Sequence, residues 1–221
     1  MDTIVVSDVH IGSQYFHSDR FLEFLDAIPA DCSLVLNGDT IHDPKGKLTD
    51  DDRAVLDRLA TLSERATVVW LCGNHDPDFQ PPVTGKIVFK ESHAVGKRLY
   101  ISHGDYFDTV MTHHQWFIRT FRFLHNVRIT LGAHPVHVAV IAKKWRALFN
   151  YVRQATRMNA VEYARENGFQ AVTCGHIHYA EDTYVDGIRY INTGSWTETP
   201  TYCVIVNHER ISLMKTEEWI P

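Results

Sequence analysis

Five short polar motifs each follow an apolar, β-like run in this 221-residue sequence. They are Asp8-Val9-His10, Gly38-Asp39, Gly73-Asn74-His75-Asp76, His103-Gly104-Asp105 and Gly175-His176-Ile177-His178. In the last motif the histidines alternate, so on an extended segment both side chains point the same way. Each motif alone is weakly diagnostic, since a lone Gly-Asp is commonly a turn. Together, their carboxylate, amide and imidazole groups are the ligands that one or two divalent first-row metals prefer.

Such a ligand set is typical of hydrolysis at phosphorus. Two divalent ions about 3.5–4 Å apart activate a hydroxide and hold a phosphoryl group for in-line attack. Glycines beside the ligands allow tight turns and a close approach of the backbone. The 14 histidines point the same way, because imidazole is the commonest metal ligand. We therefore predict a metal-dependent enzyme.

The elements that must position these motifs alternate between strand and helix. Apolar runs predict strands over residues 3–7, 33–37 and 67–72, and helical spacing predicts helices over 18–28 and 49–65, with Ser18 as an N-cap. The motifs then follow the carboxyl ends of the strands, which is where ligands bind in open α/β sheets. Further strands are predicted over 87–90, 98–102 and 171–174. Two hairpins follow, over 183–191 with an Asp186-Gly187 turn and over 202–214.

The segment between these strands, residues 109–167, is basic, aromatic and helical in its periodicity, and it predicts two or three helices. It contains nine Lys or Arg residues and two Glu residues, a net charge of +7. Because the whole chain carries −5, the remainder carries −12. A basic block in an acidic protein favours an anionic partner.

Bulk features narrow the class of protein further. No apolar run approaches the roughly 20 residues of a membrane-spanning helix, and the N-terminus does not resemble a secretory signal. The four cysteines, none in a C-x-x-C pair, are expected to be reduced thiols of the core. We therefore expect a cytoplasmic protein. The cysteines are Cys32, Cys72, Cys174 and Cys203.

The motif order DxH, GD, GNHD, HGD and GHxH, from Asp8 to His178, resembles the calcineurin-like metallophosphoesterases. The resemblance implies an α/β (α+β) fold in which a two-sheet β-sandwich is flanked by helices. We expect one such domain over residues 1–221, with a helical insertion or lid at about 109–167. Two divalent metal ions are implied. Manganese is the expected ion, and iron, zinc, cobalt and nickel also suit these ligands.

The resemblance also implies roles for individual residues. Seven residues would bind the metals: Asp8, His10 and His178 the first ion, Asn74, His103 and His176 the second, and Asp39 both. His75 would contact the substrate phosphate and protonate the leaving oxygen, with Asp76 holding its ring. His42 stands where many members carry an acidic residue. It would touch a metal-bound water or the substrate, or else lie in solvent. Asp105 is expected to support the site from behind the ligands.

The layout of the insertion is similar to that of the UDP-2,3-diacylglucosamine pyrophosphohydrolases, in which water attacks a pyrophosphate phosphorus. Its two ends lie beside the metals, so a lid over a lipid-linked diphosphate is one interpretation. Transient contact with the inner membrane face would then follow. The residues expected to bind such a substrate are Arg119, Arg122, Arg153 and Arg157 for the diphosphate, and Trp116 and Phe117 for the acyl chains.

Other interpretations stay open. The insertion can equally be a structural element whose apolar face packs on the sandwich. Typical enzymes of the lipid branch have Arg where this chain has His75, which favours a generic phosphodiesterase or phosphatase acting on nucleotides, nucleic acid or phosphoprotein. A basic aromatic surface suits nucleic acid, but the acidic remainder argues against a long track. A non-catalytic scaffold is least favoured, because every expected ligand is present. The sequence does not indicate an oligomeric state.

Overall fold

The computed structural model describes residues 2–113, 127–128, 130–132 and 138–219. In these ranges the strands are β1 (Thr3–Val6), β2 (Ser33–Asn37), β3 (Thr67–Leu71), β4 (Val88–Lys90), β5 (Ser92–Val95), β6 (Leu99–Ser102), β7 (Ala171–Cys174), β8 (Glu181–Val185), β9 (Ile188–Asn192), β10 (Tyr202–Val206) and β11 (Ile211–Lys215). The α-helices are α1 (Ser18–Asp26), α2 (Asp50–Leu62), α3 (Thr109–His113), α4 (Val138–Ala142), α5 (Arg146–Glu166) and α6 (Thr216–Trp219).

The strands form two sheets. The first has the order β11-β10-β1-β2-β3-β4, and the second has the order β5-β6-β7-β9-β8. Strands β1 to β4 are parallel, with α1 and α2 as the first two crossovers, and β10 joins β1 antiparallel. In the second sheet β6, β7 and β9 are parallel. The carboxyl ends of these parallel strands therefore meet at one edge of each sheet.

Alternate residues of the strands face different apolar layers, because successive side chains of a strand point to opposite faces. Val5, Val35 and Ile101 lie in the layer between the two sheets. Ile4 and Leu36, one position away, pack under α1 and α2 on the outer face of the first sheet. Burial of each such side chain contributes about 1.5–3 kcal/mol.

Helix α5 covers the outer face of the second sheet. Its small side chains Ala160 and Ala164 pack with Val161 against Tyr100 and Val172 of that sheet. The architecture is thus helix, sheet, sheet, helix. The predicted fold class, a two-sheet sandwich flanked by helices, is confirmed.

The two helices on the first sheet begin differently. Thr49 and Asp52 form a capping box at α2, in which each side chain binds the other residue's backbone N–H. Helix α1 is preceded by His17, which makes no side-chain capping bond, and Ser18 is already the first helical residue. The expectation that Ser18 is the N-cap is therefore wrong, and the packing of Phe21, among other residues of this helix, on the sheet holds it instead.

Most predicted strands agree with the structure to within two residues. The Asp186-Gly187 turn has positive φ at both positions, 49° and 83°, as a two-residue hairpin requires. Strand β5 was not predicted, because Ser92–Val95 has no apolar alternation and lies half-exposed at a sheet edge. In the basic segment the described residues form α3, α4 and α5, and residues 127–128 and 130 are also helical.

The cysteines are free thiols, buried at Cys32, Cys174 and Cys203 and half-buried at Cys72. Among the described residues no helix combines the length and apolarity needed to cross a bilayer.

Candidate metal centre

The five polar motifs come together at one edge of the sandwich. Asp8, Asp39 and Asn74 follow the carboxyl ends of β1, β2 and β3 in the first sheet. His103 and His176 follow β6 and β7 in the second sheet. Because β1, β2 and β3 are parallel to one another in the first sheet, and β6 and β7 are parallel in the second, the polar ends of each group lie at one edge of its sheet.

The first expected ligand set is assembled. His178 Nε2 lies 3.0 Å from Asp8 Oδ1, and His10 Nε2 lies 3.2 Å from His178 Nε2. Asp8 and His10 are fully buried, and His178 is nearly so. These three residues have ligand atoms within 4.8 Å of one another.

The second expected set surrounds the side-chain oxygen of Asn74. That Oδ1 atom lies 2.9 Å from His176 Nδ1 and 3.3 Å from His103 Nε2. His103 is held from behind by its Nδ1 atom, which donates to the backbone carbonyl of Asn37 at 3.0 Å. Its Nε2 atom therefore faces the centre, with the tautomer fixed by the carbonyl.

Asp39 lies between the two sets. Its Oδ2 atom is 3.4 Å from His103 Nε2 and 3.9 Å from His10 Nε2, one imidazole of each set. Its other oxygen, Oδ1, accepts the backbone N–H of His75 at 2.8 Å. One carboxylate is thus fixed at the junction, which is the position a bridging ligand requires.

The backbone is strained at most of these ligands. Positive φ values between 49° and 60° occur at Asp8, His10, Asp39, His176 and His178. Asp186 of the hairpin turn is the one other non-glycine residue in this region among the described residues. Each such conformation costs of order 1 kcal/mol, and clustering of this kind is typical of functional sites. Sequence patterns did not indicate it.

Two glycines make room for the carboxylates. A Cβ at Gly73 would lie 2.3 Å from Asp39 Oδ1, and a Cβ at Gly175 would lie 2.1 Å from Asp8 Oδ2. Both separations are far below van der Waals contact, so any side chain would displace the carboxylate. These glycines are needed because the chain passes so close to a ligand.

The buried charges perturb one another strongly. Burial raises the pKa of the Asp8 carboxyl, but His178 and His103 outweigh burial and lower it to about 2. Burial likewise raises the pKa of the Asp39 carboxyl, but the neighbouring His103 lowers it more strongly. The pKa of Asp39 therefore lies well below its ordinary value. Burial lowers the pKa of His103, yet Asp39 and Asp8 raise it well above its ordinary value. The pKa of His10 is lowered well below its ordinary value by burial and by His178. A divalent cation bound here would take the place of the His103 proton.

The residues fit the divalent metals that the motif chemistry predicts. All seven donors are carboxylate, amide or imidazole groups, which suit first-row divalent ions. Asp8 also shares a group with Asp39 and His103 whose ligand atoms lie within 4.8 Å of one another. The two sets are therefore contiguous around the carboxylates of Asp8 and Asp39.

His75 lies beside this centre, with its ring half-buried. Its centroid is 5.0 Å from that of His10, and its Nδ1 atom lies 2.8 Å from the carbonyl oxygen of His42. A carbonyl only accepts, so Nδ1 carries the hydrogen and Nε2 is the atom that can exchange a proton. His42 stacks on His75 at 5.5 Å, and its Nδ1 atom lies 3.4 Å from His10 Nδ1.

Asp76 does not hold the His75 ring, and that expectation is corrected. Its carboxylate accepts four backbone N–H groups, from Gly73 and from the loop that carries the bridging residue, Asp39, Thr40 and Ile41, at 2.8–3.1 Å. Burial raises the pKa of Asp76, whereas the Ile41 N–H opposes that effect. Asp76 thus fixes the Asp39 loop, and the carbonyl of His42 orients His75.

One residue near the ligands was missed. Asp108 Oδ2 lies 3.0 Å from His176 Nε2, and Asp108 is fully buried. Asp105, which was expected to support the site, makes no side-chain hydrogen bond to a ligand in the part of the chain that the structure describes. The signal available in the sequence was an Asp just before Thr109, at the predicted start of the helical segment.

The residues expected to bind substrate are only partly described. Trp116, Phe117, Arg119 and Arg122 lie outside the described residues. Arg153 Nε and Arg157 bind the same carboxylate, that of Glu181 on β8, the first at 2.6 Å. The guanidinium of Arg153 also lies 4.2 Å above the ring of Tyr179. Both arginines are therefore engaged with an acidic partner rather than free for a phosphate.

Comparison with known families agrees with the motif geometry. The model of the calcineurin-like phosphoesterase family matches residues 1–180, which include all five motifs. A search of the curated proteins finds no match to the sequence.

Two solved structures share the fold. Yfce, a phosphoesterase from E. coli, is 16% identical, with a TM-score of 0.50 over 99% of this chain and 95% of that chain. An archaeal phosphodiesterase is 15% identical, with a TM-score of 0.50 over 97% of this chain and 99% of that chain. At this identity the likeness extends to the fold alone.

Proposed function

The chain belongs to the calcineurin-like phosphoesterase family and is a metal-dependent phosphoesterase, and we propose that it hydrolyses a phosphodiester with two divalent ions. The observation that carries the proposal is the position of Asp39, whose Oδ2 atom lies within 4 Å of an imidazole from each ligand set. When bound, the ions would supply Lewis acidity and an acidified water. The first ion would be held by Asp8, His10 and His178, the second by Asn74, His103 and His176, and both by Asp39.

His75 would act as the general acid. Its Nδ1 hydrogen is committed to the carbonyl of His42, so the proton available for transfer is on Nε2. As the bond between phosphorus and the leaving oxygen breaks, that proton would pass to the leaving oxygen. His42, stacked on His75, would restrict the ring and contact the substrate from the same side.

We prefer a phosphodiester to a diphosphate because three of the basic residues that the structure describes in 109–167 are already paired with carboxylates. A diphosphate would need cations, yet Arg153 and Arg157 are bound to Glu181, and Lys143 is bound to Glu198 at 2.8 Å. A phosphate would have to compete with these carboxylates.

A nucleotide-lipid diphosphate of the UDP-2,3-diacylglucosamine type is the second candidate. A row of exposed apolar side chains favours this candidate. The side chains lie at helical spacing, one just before α5 and the others along it. The row is Trp145, Leu148, Tyr151 and Met158. Residues 109–167 would then serve as a lid whose apolar side contacts acyl chains.

A substrate panel tests the proposal. The protein, loaded with manganese, is assayed on bis-p-nitrophenyl phosphate, p-nitrophenyl phosphate, a cyclic nucleotide, single-stranded DNA and an acylated UDP-sugar. We expect turnover of diesters to exceed that of the monoester at least tenfold. Preference for the acylated UDP-sugar by the same factor would select the second candidate. Loss of activity on chelation and recovery with metal are required in either case.

Variants test the assigned roles. Asp39→Asn is expected to lose at least one equivalent of bound metal. His75→Ala is expected to bind metal normally and to lose 10²–10⁴-fold in kcat on a diester with an alkoxide leaving group. Its loss on bis-p-nitrophenyl phosphate should be smaller, because nitrophenolate leaves without protonation. Equal losses on both substrates would contradict the acid role. His208→Ala, an exposed histidine of the last hairpin, is the control and should behave as wild type.

A further inference from the structure

Asp108 contacts the far side of a proposed metal ligand. His176 Nδ1 faces Asn74 Oδ1 at 2.9 Å, among the second ligand set, and His176 Nε2 faces Asp108 Oδ2 at 3.0 Å. The two nitrogens of one ring thus point to two different partners. We propose that Asp108 is a positioning residue, which accepts the Nε2 hydrogen of His176 and so presents the lone pair of Nδ1 to the metal. This inference rests on the proposed function, in which His176 is a ligand.

The carboxylate of Asp108 is itself fixed. Its side chain is 1% exposed, and its Oδ1 atom accepts the backbone N–H of Met111 at 2.8 Å, in the first turn of α3. With one oxygen bound at the start of a helix, the other oxygen has a defined direction toward His176. The orientation of the Asp108 carboxylate therefore does not depend on a bound metal.

The turn that carries Asp108 is held by the basic segment. Asn159 of α5 donates its side-chain N–H to the backbone carbonyl of Phe107 at 2.8 Å. Asp108 thus joins the metal centre to α3 and, through Phe107, to α5. Asp108 and His176 are 68 positions apart in the chain. They meet because α5 returns the chain to β7, after which His176 follows.

The physical effect of such a carboxylate is on the ligand's tautomer and orientation. A histidine that ligates through one nitrogen usually donates its other N–H to a carboxylate or carbonyl, and loss of that partner typically costs 10–100-fold in metal affinity. His103 already has its carbonyl partner in Asn37. Asp108 would provide the equivalent contact for His176, so each imidazole of the second set would have a fixed tautomer.

The test substitutes Asp108 with Asn. An asparagine keeps the volume and can still accept the Met111 N–H, but its single oxygen cannot serve both that N–H and His176. Apoprotein is titrated with cobalt by calorimetry and by visible absorption, which reports the ligand field of the bound ion. We expect D108N to bind one equivalent 10–100-fold more weakly, with an altered cobalt spectrum, and to lose kcat on bis-p-nitrophenyl phosphate with less than a threefold change in KM.

Two further variants separate the outcomes. Asp105→Asn removes the same charge from the same turn without a contact to His176, and should leave cobalt affinity within twofold of wild type. His176→Ala should lose the second equivalent outright. If H176A loses that equivalent while D108N retains wild-type affinity and spectrum, the positioning role is overturned and the proposed function stands. If H176A itself binds two ions as wild type does, the ligand assignment fails and the positioning role fails with it.

Discussion

Asp8 is held from several sides by groups that only the folded chain supplies. His178 lies 3.0 Å from its Oδ1 atom, and the backbone N–H of His176 lies 3.1 Å from its Oδ2 atom. Gly175 passes so close that a Cβ there would lie 2.1 Å from Oδ2. The Asp8 carboxylate can therefore keep this position only because residue 175 is a glycine and has no side chain.

At this scale we predict that Gly175→Ala displaces Asp8 and weakens metal binding at least tenfold, with kcat falling in parallel. The cause is steric overlap, because Gly175 does not have positive φ. Calorimetric titration of the apoprotein with manganese measures the affinity. Gly46→Ala is the matched control, since its nearest neighbour would be 3.1 Å away, and its affinity should be unchanged. Wild-type affinity in G175A would show that Asp8 is not a ligand.

Helix α5 is attached to the second sheet by charge as well as by apolar packing. Arg153 and Arg157, one helical turn apart, both bind Glu181 at the start of β8. Burial raises the pKa of Glu181, but its bonds to the two arginines outweigh burial and lower it below the ordinary 4.5. Both arginines therefore bind this carboxylate in the folded protein, and their expected role in binding a diphosphate stays a prediction.

At the element scale we predict that Glu181→Gln lowers the free energy of unfolding by about 1 kcal/mol at pH 7. Because the folded-state pKa is depressed, the stabilisation is present above pH 4.5 and is lost as pH falls through the folded-state value. Urea unfolding of both proteins at pH 7 and near pH 3 should show the difference vanish at acid pH. Asp186→Asn, which breaks an exposed pair with Arg165, should cost less at pH 7. A pH-independent difference would exclude the charge pairing as its cause.

The packing of the two sheets against each other determines the charges of the groups in the candidate metal centre. Asp8, Asp39 and His103 follow β1, β2 and β6, strands of two different sheets, and their ligand atoms lie within 4.8 Å of one another. Burial lowers the pKa of His103, but the two carboxylates raise it well above its ordinary value. The two carboxylates thus favour the protonated form of an imidazole that is expected to bind a metal.

At the scale of the whole molecule we predict that metal uptake releases about one proton near pH 7, since the metal must displace the His103 proton. Affinity should then rise with pH, by up to tenfold per unit, below the raised pKa of His103. Calorimetry in buffers of different ionisation enthalpy counts the protons. In His103→Asn the release should disappear together with the second equivalent of metal. Binding with no proton release in the wild type would contradict a protonated His103.

The sequence determined the reaction class and most of the framework. Apolar runs predicted the strands at 33–37 and 171–174 with the bounds that the structure has. The motifs at their carboxyl ends placed the donors at one edge of the sandwich. These features are local, because strand periodicity and turn residues depend on neighbours in the chain, and parallel strands bring their ends together whatever the loops do.

Only the tertiary structure decided which partner each polar group takes. Asp76 follows His75 in sequence but binds the N–H groups of the Asp39 loop, and Asp108 rather than Asp105 meets His176. Arg153 binds Glu181. A buried polar group takes whichever partner folding places at about 3 Å, since an unpaired group costs about 1–3 kcal/mol. Which partner a polar group takes depends on contacts between residues tens of positions apart in the chain. The spacing of residues along the sequence does not indicate those contacts.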